Sequence, residues 1–197
     1  MKITFTDAAK SEIAGFLVNE GKKLPAEAEA MDEASGGLLS EAINSGRFSG
    51  KVGQQALIVL PNGSSAKRAA LIGAGKPKAR DERALERIGA SAYKAHANSG
   101  FKSLDLHVED ADGAARVALG AKLAAYRFDN YRTKLKPDDK PSLTSLNLVT
   151  EDTKAAKAAF KPLDAGADGT FLARDLVFLP PNDLFPASYA ERIEALA

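Results

Sequence analysis

The chain has 197 residues, 45% hydrophobic, 27% charged and 7% aromatic, as expected for a soluble globular protein of one good-sized domain plus an appendage. Lys and Arg total 27 against 26 Asp and Glu, a formal net charge of +1, so no overall field favours nucleic acid, a membrane surface or acidic ligands. The absence of cysteine excludes disulfides, thiolate metal sites and a cysteine nucleophile, and fits a cytoplasmic location. Met1–Asp7 lacks the apolar core of a signal peptide, and no stretch is long and apolar enough to span a bilayer.

Lys2–Thr6 alternates polar and apolar residues and predicts a strand, and Glu12–Val18 predicts a second. Gly21-Lys22-Lys23 is a turn. Glu27–Ala34 favours helix until Gly36-Gly37 interrupts it. A new helix runs over Leu38–Asn44, with Leu38, Leu39 and Ile43 on one side, and Ser45-Gly46 ends it. Arg47–Gln54 is a glycine-punctuated loop. Gln55–Leu60 and Lys67–Ile72 are strands joined through Pro61-Asn62-Gly63, which predicts a hairpin. The segment Gly73-Ala74-Gly75-Lys76-Pro77 follows as a turn.

Asp81 caps a helix to about Asn98, with Leu85, Ile88, Ala92 and Ala95 facing inward, and Ser99-Gly100 closes it. Ser103–Val108 is a strand with Leu104, Leu106 and Val108 on one face. Asp110–Gly113 is a turn before a helix from Ala114 to about Tyr131, its spacing set by Val117, Ala121, Ala124, Phe128 and Tyr131. Lys134–Ser142 is a polar loop, and Ser145–Thr150 is the last strand. A long helix runs from Thr153 to Leu179. Pro180-Pro181 stops it, and Pro186 opens a short final helix. The chain reaches Ala197 one helix after that junction and reads as cut, not finished. Strands alternating with helices predict an α/β fold, and the hairpin predicts a mixed sheet.

The junction carries a resemblance. Ala173-Arg174-Asp175-Leu176 followed by Pro180-Pro181-Asn182 resembles the entrance to the catalytic domain of the leucyl (cytosol) aminopeptidase family. Gly36–Ile43 with Gly46–Gln54 looks like that family's helix-plus-loop element. Arg68–Lys76 looks like its strand ending in a glycine turn, and Tyr126–Tyr131 like its aromatic helix end before a basic loop. The order and spacing match along nearly the whole chain. The resemblance implies a three-layer, macro-domain-like α/β module over residues 1–152, a connecting helix over 153–179, and the start of a truncated catalytic domain over 180–197. It also implies hexamers and, in the parent, a manganese- or zinc-dependent exopeptidase with two metal ions acting on peptides. The family's signatures are Gly-Lys-Gly followed by a Phe-Asp pair, and Asn-Thr-Asp-Ala-Glu-Gly-Arg. Neither occurs here, so no catalytic, cofactor-binding or metal-binding residue is carried over, and this chain by itself is expected to be inactive.

The remaining candidates read as ordinary structure. Gly73-Ala74-Gly75-Lys76 invites a phosphate-loop reading, but one residue separates the first glycine from the Gly-Lys pair and Pro77 follows, so a plain turn is preferred. His96, late on a helix, and His107, on the strand face opposite Leu104 and Leu106, have no converging carboxylate and do not make a zinc site. Glu109, Asp110 and Asp112 cluster about a turn and read as solvated. Two basic groups, Lys76/Lys78/Arg80/Arg83/Arg87 and Arg132/Lys134/Lys136/Lys140, are offset by Asp81, Glu82, Glu86, Asp138 and Asp139 and read as solvated surface.

Three functions follow as alternatives. The chain is the non-catalytic part of an aminopeptidase, supporting assembly. Or it is a stand-alone nucleotide or ADP-ribose binder using Gly73–Lys76. Or it binds nucleic acid through the basic loops. The long helix carries two apolar stripes, Phe160/Leu163/Ala167/Phe171/Phe178 and Leu172/Leu176/Leu179, which predict two packing partners.

Overall fold

The short apolar runs become strands and the longer amphipathic stretches become helices, as their lengths and periods require. The computed structural model describes residues 1–21 and 23–196. Its order is β1 (Lys2–Thr6), β2 (Ile13–Asn19), α1 (Ala26–Ala34), α2 (Leu38–Ser45), β3 (Gln55–Val59), β4 (Arg68–Gly75), α3 (Glu82–His96), β5 (Ser103–His107), α4 (Ala111–Ala124), β6 (Ser145–Val149), α5 (Thr153–Phe178) and α6 (Pro186–Glu194). Lys22 of the expected turn after β2, and Ala197, lie outside the described residues.

Among the described residues the strands form one mixed six-stranded sheet in the order β1-β6-β5-β2-β4-β3. The hairpin forms as expected: β3 pairs antiparallel with β4, Val59 opposite Arg68, while all other pairs are parallel. Successive residues on β4 serve opposite faces, as a period of two demands. Ala70 and Ile72 pack with Ile88, Val117, Ala121 and Phe160 beneath α3, α4 and α5. Ala69 and Leu71 join Phe16, Ala28, Leu39 and Ile43 beneath α1 and α2. The result is the three-layer α/β fold. Among the described residues no helix is long and apolar enough to cross a membrane.

Local chemistry sets the helix ends. Asp81 accepts a hydrogen bond from the Ala84 amide at 2.7 Å and caps α3. Asp32, near the end of α1, accepts from the amides of Leu39 and Ser40 at 2.8 and 3.0 Å and so caps α2 from outside it. α3 and α4 touch through glycines. A Cβ on Gly89 would lie 1.9 Å from the Val117 carbonyl oxygen, and one on Gly120 would lie 1.8 Å from that of Glu86.

Four expectations are corrected. β4 runs on to Gly75 instead of turning at Ile72, because β2 pairs alongside it as far as Asn19. Asp110–Gly113 is not a free turn. Asp110 accepts from the Gly113 amide and caps α4, which begins at Ala111. α4 stops at Ala124, not Tyr131, since Tyr126 and Phe128 leave the helix to pack against Phe171 and Phe178 of α5 at centroid distances of 5.2 and 5.3 Å. On α3, Ala95 is exposed and the buried face runs instead through Ala92, Tyr93 and His96.

α5 packs along α4 and the edge strand β1. Ala156, Phe160 and Ala167 are buried, Leu163 packs beside them, and the Phe5 and Phe160 rings lie 5.5 Å apart. Lys122 of α4 bridges Asp164 and Asp168 at 2.5 and 2.6 Å. The first expected stripe therefore faces the domain, though Phe178 at its end stays 55% exposed. On the second, Leu172, Leu176 and Leu179 are half-buried, and Val177 beside them is 83% exposed.

Candidate functional site

Two neighbouring parallel strands send the chain to opposite faces of the sheet: β2 leads to α1, and β5 leads to α4. Connections that part this way leave a crevice beyond the carboxyl ends of the strands, the usual ligand position in open α/β sheets. A cavity of about 240 Å³ lies there. Asn19, Leu24 and Glu27 line it from the β2–α1 side, Val108 and Asp110 from the β5–α4 side, and Arg80 and Leu85 from the α3 side. Two further hollows share His107 and Glu27 with it, so these two side chains sit where three concavities meet.

Arg80 is held in place. Its Nε donates to the Ala74 carbonyl at 3.3 Å, and its guanidinium also bonds the Asn19 side-chain oxygen. The His107 ring stacks on Phe16, with centroids 4.9 Å apart and planes 19° from parallel. Burial lowers the His107 pKa below 6.5, and the Glu27 and Asp105 carboxylates oppose that shift. The imidazole is therefore neutral at pH 7. Behind it Asp105 is buried and fully engaged. It accepts from the Ser11 amide and hydroxyl at 2.7 and 2.5 Å, from Asn147 Nδ2 at 2.7 Å and from the Lys10 amide. Those bonds fasten the β1–β2 connection across the sheet and leave Asp105 little capacity for a ligand.

The residues singled out from the sequence disperse. Gly73 and Gly75 do not cradle an anion, because their amides already donate to Gln54 O and Gly50 O, each at 2.8 Å. Their lack of a side chain serves packing. A Cβ on Gly73 would meet the Lys51 carbonyl oxygen at 1.9 Å. His96 ends α3 on one side of the sheet and His107 lies on the other face, so they do not converge. Among the described residues no three His, Asp or Glu side chains are placed to hold a metal ion. Glu109 and Asp110 border the crevice, Asp110 occupied as a helix cap. Of the first basic group only Arg80 turns inward; Lys76, Lys78, Arg83 and Arg87 are exposed. Glu82 and Glu86, expected to offset that group, instead pair with Arg116 at 2.7 and 3.3 Å. In the second group Arg132 lies 3.7 Å from Asp129, and Lys134, Lys136 and Lys140 are exposed.

No sequence motif marks Asn19, Glu27 or the inward turn of Arg80 as parts of one site. The alternation along Ser103–His107 placed His107 on the polar face. Only the pairing of β2 with β5 brings it to the crevice.

The model of the cytosol aminopeptidase family N-terminal domain matches residues 16–135. A probable cytosol aminopeptidase of Caulobacter vibrioides is 42% identical over 201 residues, which cover 100% of this chain and 41% of that protein. One from Agrobacterium fabrum is 37% identical over 206 residues, covering 98% and 40%. The chain thus spans about two fifths of the length of the curated relatives it matches. Its fold is similar to that of a mutant tomato leucine aminopeptidase, with a TM-score of 0.81 at 24% identity over 100% of this chain and 42% of that one. It is also similar to the bottromycin maturation enzyme BotP in complex with Mn, with a TM-score of 0.67 at 24% identity over 95% and 36%. With the family match spanning most of the sheet, the relatives aligned from end to end and the same fold, the chain belongs to the cytosol aminopeptidase family and corresponds to its N-terminal domain.

Proposed function

We propose that this chain is the non-catalytic N-terminal part of a metal-dependent leucyl aminopeptidase that removes N-terminal residues from peptides, and that it supports oligomer assembly. In this reading residues 1–152 are the macro-like α/β domain, 153–179 the connecting helix and 180–197 the start of the catalytic domain. The carrying observation is that relatives named cytosol aminopeptidase align along the whole chain yet extend well beyond it. That name also supports a cytoplasmic location. The apolar surface left on the last elements supports an assembly role, a hexamer by the family resemblance. Val177, Phe178, Phe185 and Ile193 are all about half exposed or more.

The similar enzyme BotP is solved with Mn, and divalent ions in the parent would activate water and polarise the scissile carbonyl. The donor set here does not fit such ions, since the described residues bring no three ligands together. No hydrolytic step is assigned to this chain.

The test is a chromogenic leucine amide assay with manganese, zinc or magnesium, after removal of host peptidases. The isolated chain is expected to give no turnover, and the same chain continued into a family catalytic domain to give metal-dependent turnover. Metal-dependent turnover that tracks the purified 197-residue chain would overturn the division of labour.

A further inference from the structure

The crevice at the ends of β2 and β5 has a size and a charge pattern that select a ligand class. Its volume, about 240 Å³, falls below the roughly 300–1,000 Å³ that drug-sized ligands occupy. A small ligand fills this hollow by itself, whereas a dinucleotide-sized one would have to extend into the two hollows that adjoin it at His107 and Glu27. Its surroundings are predominantly acidic: Glu27, Glu29, Glu109 and Asp110 stand there against Lys23 and Arg80, and a free phosphate meets repulsion. Yet one cation is preorganised. Arg80 is held through Nε and Nη2 by the Ala74 carbonyl and Asn19, which leaves its Nη1 donors and the second Nη2 proton to meet a carboxylate. Glu27 offers an exposed carboxylate at the meeting point of the hollows, and Leu24 and Leu85 supply apolar wall. A positive anchor, a negative anchor and an apolar wall in one small cavity match a zwitterion with a hydrocarbon side chain.

We propose that this crevice binds a free apolar α-amino acid, its carboxylate on Arg80, its ammonium on Glu27 and its side chain against Leu24 and Leu85. The site goes beyond the reading of the parent as an aminopeptidase and does not depend on it. Under that reading the ligand is a product of the reaction, and the domain senses it.

The experiment titrates L-leucine into the 197-residue chain by calorimetry, beside N-acetyl-leucine, leucinamide and ADP-ribose. Leucine is expected to give a saturable isotherm with Kd at or below about 1 mM. Each capped analogue loses one charge-assisted contact and is expected to bind at least about tenfold more weakly. ADP-ribose gives no isotherm. Arg80→Gln and Glu27→Gln are each expected to weaken leucine by at least about tenfold, with folding checked by circular dichroism. Arg80 also braces Asn19, so its variant can fail to fold; the exposed Glu27 and the capped ligands then decide the question. No leucine isotherm at about 10 mM, ten times that Kd, overturns the proposal. So do capped analogues that bind as well as leucine, or a folded Glu27→Gln that binds unchanged. Failure of the aminopeptidase assay leaves this isotherm untouched, so the two readings fail separately.

Discussion

His96 is 2% exposed in the last turn of α3, and neither ring nitrogen has a hydrogen-bond partner among the described residues. Burial alone lowers its pKa below 6.5. The sign follows from linkage. Below pH 6.5 the unfolded chain binds a proton that the folded chain refuses, so stability is full above that pH and declines as pH falls. The slope reaches about 1.4 kcal/mol per pH unit while only the unfolded state is protonated. His96→Leu removes both the titration and an unpartnered buried polar group. Urea unfolding at about pH 7.5 and about pH 5.5 should show a smaller acid loss in the variant, with little cost at the higher pH. An unchanged difference between the two pH values would remove His96 as a source of acid sensitivity.

At the scale of elements, α5 is fastened unevenly. Its first half is anchored by Phe160 against Phe5 and by Lys122 across Asp164 and Asp168. Its second half depends on the segment after α4: Tyr126 hydrogen-bonds Asp175 at 2.7 Å, and the Arg174 guanidinium lies 3.8 Å from the Tyr126 ring centroid. Truncating the buried anchor should cost far more than truncating the exposed end. Phe160→Ala is expected to lose about 3–5 kcal/mol by denaturant unfolding. Val177→Ala is expected to change stability by less than about 0.5 kcal/mol. Measured at dilution where the chain is monomeric, comparable losses would show that Val177 is packed within its own domain. The early end of α4 belongs to this scale too. Phe128 and Tyr131 keep helical spacing in the sequence, but a helix carried through them would take the aromatic rings off α5.

For the whole molecule, exposed apolar side chains gather along the last elements, with a smaller group, Leu57 and Val59, on the edge strand β3. Val177, Phe178, Phe185, Tyr189, Ile193 and Leu196 range from 45% to 83% exposed, while both layers beside the sheet are well filled. Fully burying one such side chain is worth about 1.5–3 kcal/mol, so together they favour association. Light scattering across a concentration series should show concentration-dependent self-association, which Val177→Ser combined with Phe178→Ser reduces. A strictly monomeric chain at every concentration would count against the assembly role proposed for this end of the chain.

What the sequence determined by itself was the inventory: the order of strands and helices, the β3–β4 hairpin, the proline stop after α5 and the family. These depend on short-range periodicity, on turn and proline chemistry, and on motif order, all of which are written locally. Tertiary structure decided what depends on neighbours distant in the chain. Gly73 and Gly75 invite a ligand-turn reading beside the preferred plain turn because glycine freedom is local information. Their amides are taken by Gly50 and Gln54, which only folding brings alongside. Asn19, Arg80 and His107 are separated by many residues and belong to different elements. They form one crevice only because β2 pairs with β5 on one side and β4 on the other, and parallel pairing of non-consecutive strands leaves no local trace in the chain.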